Sequence, residues 1–233
     1  MDKIIVAIGG GEIRKRETLE IDRYIAGLAK AHAGEKRATA LFFPTASHDS
    51  KPYFNSFRKT YTSVFDIKAD VALLTRNEMS IEKIYEKISI CDLIYVGGGD
   101  TKHMLELWKA TGVDRMIIAA YERGVPIAGL SAGAICWFNT MYTDYYIIRG
   151  ESNDYTIIEG LGIIEGFVSP HYEERVEFDK VVLANNTPAI GLESNSAIVI
   201  RNGKIDGALT SGGKAYHLIP DKGVLIKEQI KPQ

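Results

Sequence analysis

Residues 125–138 read VPIAGLSAGAICWF, and this stretch is the most informative part of the chain. A short apolar run leads into Gly129-Leu130-Ser131-Ala132-Gly133, and a helix-compatible run follows. A strand, a serine flanked by glycines and a helix are together typical of a nucleophile elbow, in which small neighbours let the backbone turn sharply and expose the hydroxyl. The first N–H groups of the following helix can stabilise negative charge there. Because the same pattern also occurs as a plain Gly-Ser turn, other segments have to supply further evidence.

Strand and helix patterns alternate before the elbow. The predicted strands are 3–8, 38–43, 71–74 and 92–96, and the segments with helical spacing are 18–32, 50–64, 81–88, 101–109 and 113–122. This alternation predicts an α/β fold with a mostly parallel, doubly wound sheet and helices on both faces. Ligands bind beyond the carboxyl ends of the strands in such sheets. We therefore expect the glycine-rich strand ends at Gly9, Gly97 and Gly129 to cluster at one edge.

The pattern changes after the elbow helix. The predicted elements there are strands at 142–148 and 167–169, a helix at 173–184, and strands at 197–200, 205–209, 216–219 and 224–226. The dipeptide Asn202-Gly203 between two of these strands predicts an antiparallel C-terminal hairpin. Since no linker, repeat or low-complexity segment interrupts the chain, we expect residues 1–233 to form one domain.

Composition limits the classes of partner. The 233 residues are 45% hydrophobic and 25% charged, as in ordinary globular proteins. The net charge of −2 provides no basic field for a nucleic acid or a membrane surface. No apolar run approaches the ~20 residues of a membrane span, and the N-terminal residues lack the layout of a signal peptide. Cys91 and Cys136 are expected to be buried, reduced thiols, and the protein is expected to be cytoplasmic.

A serine nucleophile needs a base, and the base needs an acceptor that orients it. Among the five histidines, His171 ends a predicted strand, which would put it at the same sheet edge as Ser131. Two carboxylates could orient it: Glu193, in the segment Gly191-Leu192-Glu193-Ser194-Asn195, and Glu173, two residues after His171. The His and acidic residues show no metal-ligand spacing, so no metal and no other cofactor is expected.

Five segments, in this order, resemble the peptidase E (dipeptidase E) and cyanophycinase family of serine peptidases. They are FPTAS at 43–47, VGGGDT at 96–101, GLSAGA at 129–134, SPHY at 169–172 and GLESN at 191–195. The resemblance implies a fold like that of class I glutamine amidotransferases, which is flavodoxin-like, and hydrolysis of small peptides, aspartyl dipeptides among them. It also implies Ser131 as nucleophile, His171 as base and Glu193 as orienting acid. By the same resemblance, the backbone N–H groups of Gly99 and Ala132 would donate to the oxyanion.

The acid is where the chain departs from the family pattern. The family's catalytic Glu is fourth in the block that here reads Gly-Leu-Glu-Ser, whereas in this chain the fourth residue is Ser194 and glutamate is third. A one-residue shift in an extended strand turns a side chain to the other face. Glu173 stays an alternative because the amidotransferases place a Glu two residues after the His. Asp144 is a third candidate, since some relatives carry an Asp near the site in this segment.

Other functions remain to be compared with the peptidase. The chain order of Ser131, His171 and Glu193 differs from that of an α/β-hydrolase, in which the acid precedes the histidine. A catalytically inactive amidotransferase-like binding or sensing domain is the alternative that the displaced acid favours. Glutaminase-type hydrolysis is disfavoured because those relatives use cysteine at the elbow. The expected partner is a small peptide, and monomer and homodimer both stay open. The candidate cations for a charged substrate are Lys102, His103, Arg149 and Arg175.

Overall fold

The first half of the chain builds a mostly parallel sheet. The computed structural model describes residues 2–76 and 78–233. The strands are β1 (Ile4–Ile8), β2 (Thr39–Phe43), β3 (Lys68–Val71), β4 (Leu93–Val96) and β5 (Ile127–Leu130), and the helices are α1 (Leu19–Ala33), α2 (Lys51–Phe65), α3 (Ile81–Ile90), α4 (Thr101–Thr111) and α5 (Val113–Glu122). Two later strands, β10 (Ser196–Arg201) and β11 (Lys204–Thr210), extend the sheet on the β1 side, which gives the order β11-β10-β1-β5-β4-β2-β3. Strands β1 to β5 pair in parallel, and β10 pairs antiparallel with β1.

A second sheet forms after the elbow. Its elements are α6 (Ala132–Ile135), β6 (Phe138–Thr143), α7 (Tyr145–Arg149), β7 (Thr156–Glu159), β8 (Ile164–Ser169), α8 (Phe178–Asn185), β9 (Ala189–Leu192), β12 (Ala215–Asp221) and β13 (Val224–Gln229). The strand order is β13-β12-β9-β8-β6-β7, with a parallel centre of β9, β8 and β6 and antiparallel flanks. The predicted α/β class with mostly parallel pairing is confirmed. The strands after the elbow, except β10 and β11, form a sheet of their own.

Apolar side chains cover both faces of the first sheet. On β1, Ile5 and Ala7 pack into one core cluster, while Val6 and Ile8 pack into the other. This division is typical of strands that are buried on both sides by helices. Because β1, β5 and β4 are parallel neighbours, their carboxyl ends open at one edge of the sheet. The elbow and two glycine-rich loops therefore meet at this edge.

Three predicted elements differ in the structure. The strand predicted at 71–74 lies at Lys68–Val71, because its pairing with β2 begins at Lys68 and ends at Val71. The predicted strand at 142–148 ends at Thr143, and the short helix α7 follows. Tyrosine and isoleucine favour strands, but Ile147 and Ile148 are exposed, and Gly150 closes the helix with a left-handed φ of 68°. The predicted helix at 173–184 begins only at Phe178, after a stretch of turns.

Two local expectations are confirmed. The loop residues Asn202 and Gly203 both have positive φ, 51° and 81°, as a two-residue hairpin loop of type I′ requires, and they join β10 to β11. Cys91 and Cys136 are free and buried.

None of the helices in residues 2–76 and 78–233 has the length and apolar character that crossing a bilayer requires.

Candidate active site

Ser131 lies on a strained turn between β5 and α6. Its φ of 54° and ψ of −113° are unusual for a residue with a side chain, and such strain is typical of functional sites. Close backbone packing makes the turn possible. A Cβ on Gly129 would overlap the carbonyl oxygen of Gly133, and a Cβ on Gly133 would overlap that of Val96. The structure therefore forms the nucleophile elbow that the sequence predicts.

His171 follows β8 and faces the elbow from the second sheet, whereas the sequence predicted it at the edge of the sheet that contains β5. Its Nε2 lies 2.7 Å from Ser131 Oγ, although the two residues are 40 positions apart in the chain. Burial lowers the pKa of His171 below its ordinary value of 6.5, and the positive charge of Arg175 lowers this pKa further. The carboxylates of Asp144, Glu174 and Glu173 oppose this shift without reversing it. The imidazole is thus neutral at neutral pH and can accept the serine proton.

The other imidazole nitrogen faces a hydroxyl. His171 Nδ1 lies 3.4 Å from Ser194 Oγ. The backbone N–H of Ser194 donates to both carboxylate oxygens of Glu173, at 2.9 and 3.0 Å. Glu173 therefore binds the backbone of Ser194, the residue whose side chain contacts His171. The Glu173 carboxylate itself makes no hydrogen bond to the imidazole in this structure. Asp144 forms an ion pair with the buried Arg175 at 3.1 Å.

Glu193 was expected to orient His171, but in the structure its carboxylate lies away from the imidazole. Its carboxylate accepts a hydrogen bond from Lys214 N at 2.8 Å and lines a separate pocket with Tyr172 and Tyr216. The physical reason is that the chain leaves β9 at Leu192 and enters a turn at Ser194 and Asn195, which directs neighbouring side chains to different sides. Here Ser194 is the residue whose side chain turns towards His171.

Backbone N–H groups of two loops border Ser131. Ala132 is the first residue of α6, and the first N–H groups of a helix have no partner inside it. The glycine loop after β4 runs along the nucleophile, since a Cβ on Gly98 would lie 3.2 Å from Ser131 Cβ. Asp100 N donates to Ala46 O at 2.8 Å and so ties this loop down. Gly99 lines the same cleft as Ser131, and the oxyanion role of Gly99 and Ala132 stays a prediction.

The cleft above Ser131 has a volume of about 420 Å³. Arg14 and Glu12 line it together with Tyr53 and Ser56. Arg14 was not among the cations predicted from the sequence, although it follows the glycine-rich end of β1 within a few residues. The four candidate cations have other contacts. Lys102 lies over the Tyr145 ring, the His103 ring lies 4.2 Å from the His48 ring at an interplanar angle of 40°, Arg149 pairs with Asp100, and Arg175 pairs with Asp144.

Among the described residues, no group of three or more His, Cys, Asp or Glu side chains could hold a metal ion.

The model of peptidase family S51 matches residues 5–207. The chain belongs to peptidase family S51. This membership confirms the peptidase E family that the sequence resembles, and the protein is a serine-type peptidase.

Individual relatives agree with the family model. The chain is 33% identical over 173 residues to the uncharacterized peptidase YgaJ of Bacillus subtilis, which covers 74% of this chain and 70% of YgaJ. It is 26% identical over 165 residues to peptidase E of Streptomyces coelicolor, which covers 62% of this chain and 64% of the relative.

Solved structures share the fold of the S51 chain. A peptidase from an acI-B1 Actinobacterium superposes with a TM-score of 0.71 at 19% identity, over 100% of this chain and 95% of that one. A putative peptidase E from Listeria monocytogenes EGD-e superposes with a TM-score of 0.65 at 20% identity, over 90% and 99% of the two chains. At these identities the likeness supports the fold.

Proposed function

We propose that this S51 peptidase hydrolyses small peptides, aspartyl dipeptides among them, with Ser131 as nucleophile and His171 as general base. The 2.7 Å contact between Ser131 Oγ and His171 Nε2 carries the proposal. A nucleophile and a base within hydrogen-bond reach are the arrangement that acyl transfer needs. The strained backbone of Ser131 and the lowered pKa of His171 both support these roles.

The reaction runs through an acyl-enzyme. His171 Nε2 accepts the Ser131 proton while Oγ bonds to the carbonyl carbon of the peptide. The N–H groups of Gly99 and Ala132 donate to the oxyanion, and one such donor contributes roughly 2.7–4 kcal/mol in other enzymes. His171 returns the proton to the leaving amine as the C–N bond breaks. A water molecule then attacks the ester carbon while His171 accepts its proton. His171 passes this proton to Ser131 Oγ as the acyl C–O bond breaks, which releases the carboxylic acid product.

Ser194 takes the orienting role in this proposal. Its hydroxyl oxygen accepts the Nδ1–H of His171, which leaves the Nε2 lone pair directed at Ser131. A neutral hydroxyl orients the ring but stabilises the imidazolium less than an adjacent carboxylate would. Glu173 supports the arrangement through the backbone of Ser194.

The size of the cleft supports a short substrate. About 420 Å³ lies at the lower end of the roughly 300–1,000 Å³ of small-molecule pockets. Two charged side chains at its wall further favour a substrate that carries charge close to the scissile bond.

Fluorophosphonate labelling tests the nucleophile. One adduct should form, on the peptide that carries Ser131, and Ser131→Ala should abolish it. Ser56 lines the same cleft, and its hydroxyl donates to Pro52 O at 3.1 Å, so Ser56→Ala is a matched control that should leave labelling intact. Absence of an adduct, under conditions that label a known serine peptidase, would favour the inactive binding or sensing domain. A dipeptide library with Asp-X members then identifies the substrate.

A further inference from the structure

We propose that Glu12 and Arg14 form a charge-recognition subsite, in which Arg14 binds a carboxylate and Glu12 binds an ammonium group of a small zwitterionic peptide. The inference rests on the proposed function and names the substrate chemistry of the same cleft. Both side chains line the cleft that contains Ser131 and His171. They therefore stand within reach of a peptide whose carbonyl is at the nucleophile.

The loop that carries these charges packs against the catalytic histidine. It leaves β1 at Ile8, and a Cβ on Gly10 would overlap the His171 imidazole. The next residues form a single 3-10 turn over Ile13–Lys15, and the buried side chain of Ile13 anchors this turn in the core. Glu12 and Arg14 thus project from a backbone that is tied to the catalytic centre.

Hydrogen bonds fix the turn from within. Glu12 N donates to a Glu17 carboxylate oxygen at 2.9 Å, and Arg14 N donates to Glu12 Oε1 at 3.1 Å. Lys15 N donates to Glu12 O at 3.0 Å. One carboxylate oxygen of Glu12 is used by the turn. Glu12 Oε2 makes no hydrogen bond to any other described residue, so it is available to a ligand.

The two charges are also available. In residues 2–76 and 78–233, no ion pair within 4.0 Å includes Glu12 or Arg14, whereas the neighbouring Lys15 pairs with Glu17 at 3.7 Å. By contrast, Arg149 and Arg175 pair with Asp100 and Asp144. Arg14 is therefore the cation that a substrate carboxylate can meet in this cleft.

The chemistry of a short peptide matches this pair. A dipeptide carries an ammonium and a carboxylate group about two residues apart, and the chain rises at most ~3.6 Å per residue. Glu12 and Arg14 offer one partner for each of these charges on the wall of the same cleft. A guanidinium group binds a carboxylate through two parallel N–H donors, which gives direction as well as charge. In a longer peptide at least one terminus would lie beyond the pair, so the subsite favours the shortest substrates.

Blocking each charge of the substrate tests the assignment. The probe is the dipeptide that the library ranks first, in free, N-acetylated and C-amidated forms, and kcat/KM is measured for each. Amidation should lower the wild-type value by roughly tenfold to a hundredfold, the usual range for a hydrogen bond to a charged group. In Arg14→Gln, the free peptide should lose about as much, and amidation should cost little more. Glu12→Gln should behave in the same way towards acetylation.

Lys15→Gln is the matched control, because Lys15 belongs to the same turn and does not line the cleft. This variant should keep the wild-type kcat/KM, and acetylation and amidation of the peptide should lower its kcat/KM as much as they do in wild type. If the penalties of acetylation and amidation are unchanged in both cleft variants, the inference is wrong. If no dipeptide is hydrolysed, calorimetry of Asp-Ala with Ser131→Ala replaces turnover, and the inference fails if binding is absent or insensitive to both substitutions. Failure of the proposed function is distinguishable, since it appears as wild-type Ser131 that fluorophosphonate does not label.

Discussion

Ser194→Ala removes the hydroxyl oxygen that faces His171 Nδ1 at 3.4 Å and leaves the 2.7 Å contact of Nε2 with Ser131 in place. The resulting fall in kcat/KM measures what the Ser194 hydroxyl contributes to catalysis. A triad in which a carboxylate takes this role loses ~10⁴ in kcat when the aspartate becomes asparagine. A neutral hydrogen bond contributes only about 0.5–1.5 kcal/mol, and this one is long. We therefore expect kcat/KM to fall by roughly 2- to 13-fold, using about 1.4 kcal/mol per tenfold change in rate.

Two carboxylates provide the comparison. Glu193→Gln should leave kcat/KM within about twofold of wild type, because this carboxylate accepts from Lys214 N and does not contact His171. Glu173→Gln should cost little as well, since an amide oxygen can still accept from Ser194 N. His171→Ala should remove nearly all activity.

Steady-state kinetics on the library's best dipeptide measures these values, with thermal unfolding as a check that each variant folds. The decisive comparison is between Ser194→Ala and Glu193→Gln. A loss of a hundredfold or more in Glu193→Gln, at an unchanged melting temperature, would refute the reasoning and would return the orienting role to Glu193. A loss near 10⁴ in Ser194→Ala would show that a neutral hydroxyl contributes far more than its hydrogen bond.

Three further predictions concern the site and its support. Gly10→Ala should lower kcat/KM at least a hundredfold at a nearly unchanged melting temperature, because its Cβ displaces the imidazole, whereas Gly27→Ala, with nothing within 4 Å, should be fully active and more stable by about 0.5–1 kcal/mol. In a pH profile, kcat/KM should rise through an inflection below 6.5, since burial lowers the pKa of His171; an inflection above 6.5 would contradict this. Burial raises the pKa of Asp22 to about 6, so wild type loses stability as pH rises through 6. Urea titrations of Asp22→Asn should therefore show a gain of up to about 3 kcal/mol at pH 8 and a smaller gain at pH 5, and equal gains would disprove the titration.

Local patterns predict the first sheet because its strands and helices are regular. Strands β1, β2, β4 and β5 are short apolar runs and the helices each have one apolar face, so the alternation determines the class. Strand β3 reads Lys-Ala-Asp-Val, which is not such a run, and the prediction placed it three residues too late. The second sheet depends on pairing between distant segments, which no local pattern encodes. The same limit explains residues 142–148, where tyrosine and isoleucine favour a strand but the fold leaves Ile147 and Ile148 in solvent.

The candidate site divides in the same way. Ser131 is predictable because it directly follows β5 and its small neighbours favour a sharp turn. His171 was expected at the edge of the same sheet, but it follows β8 of the second sheet, so its contact with Ser131 depends on how the two sheets pack. The group that contacts His171 Nδ1 is harder to predict, because a shift of one residue after β9 decides which side chain faces the imidazole. The chain enters a turn there that contains Asn195 with a φ of 61°. The turn directs the Ser194 side chain to the imidazole and the Glu193 carboxylate to Lys214 N. A motif read only as a block of letters does not show which of two neighbours faces the histidine.

Glycines next to the site determine where the side chains of Ser131 and His171 can lie. The turn at Ser131 requires Gly129 and Gly133, since a side chain at either would overlap backbone. The imidazole occupies the space that a side chain at Gly10 would need. The loop that creates this space continues into Glu12 and Arg14, so the backbone that admits His171 also sets the position of the two charges at the cleft. On the roles proposed above, one short loop couples nucleophile activation to substrate recognition, and we expect a change in its path to alter both together.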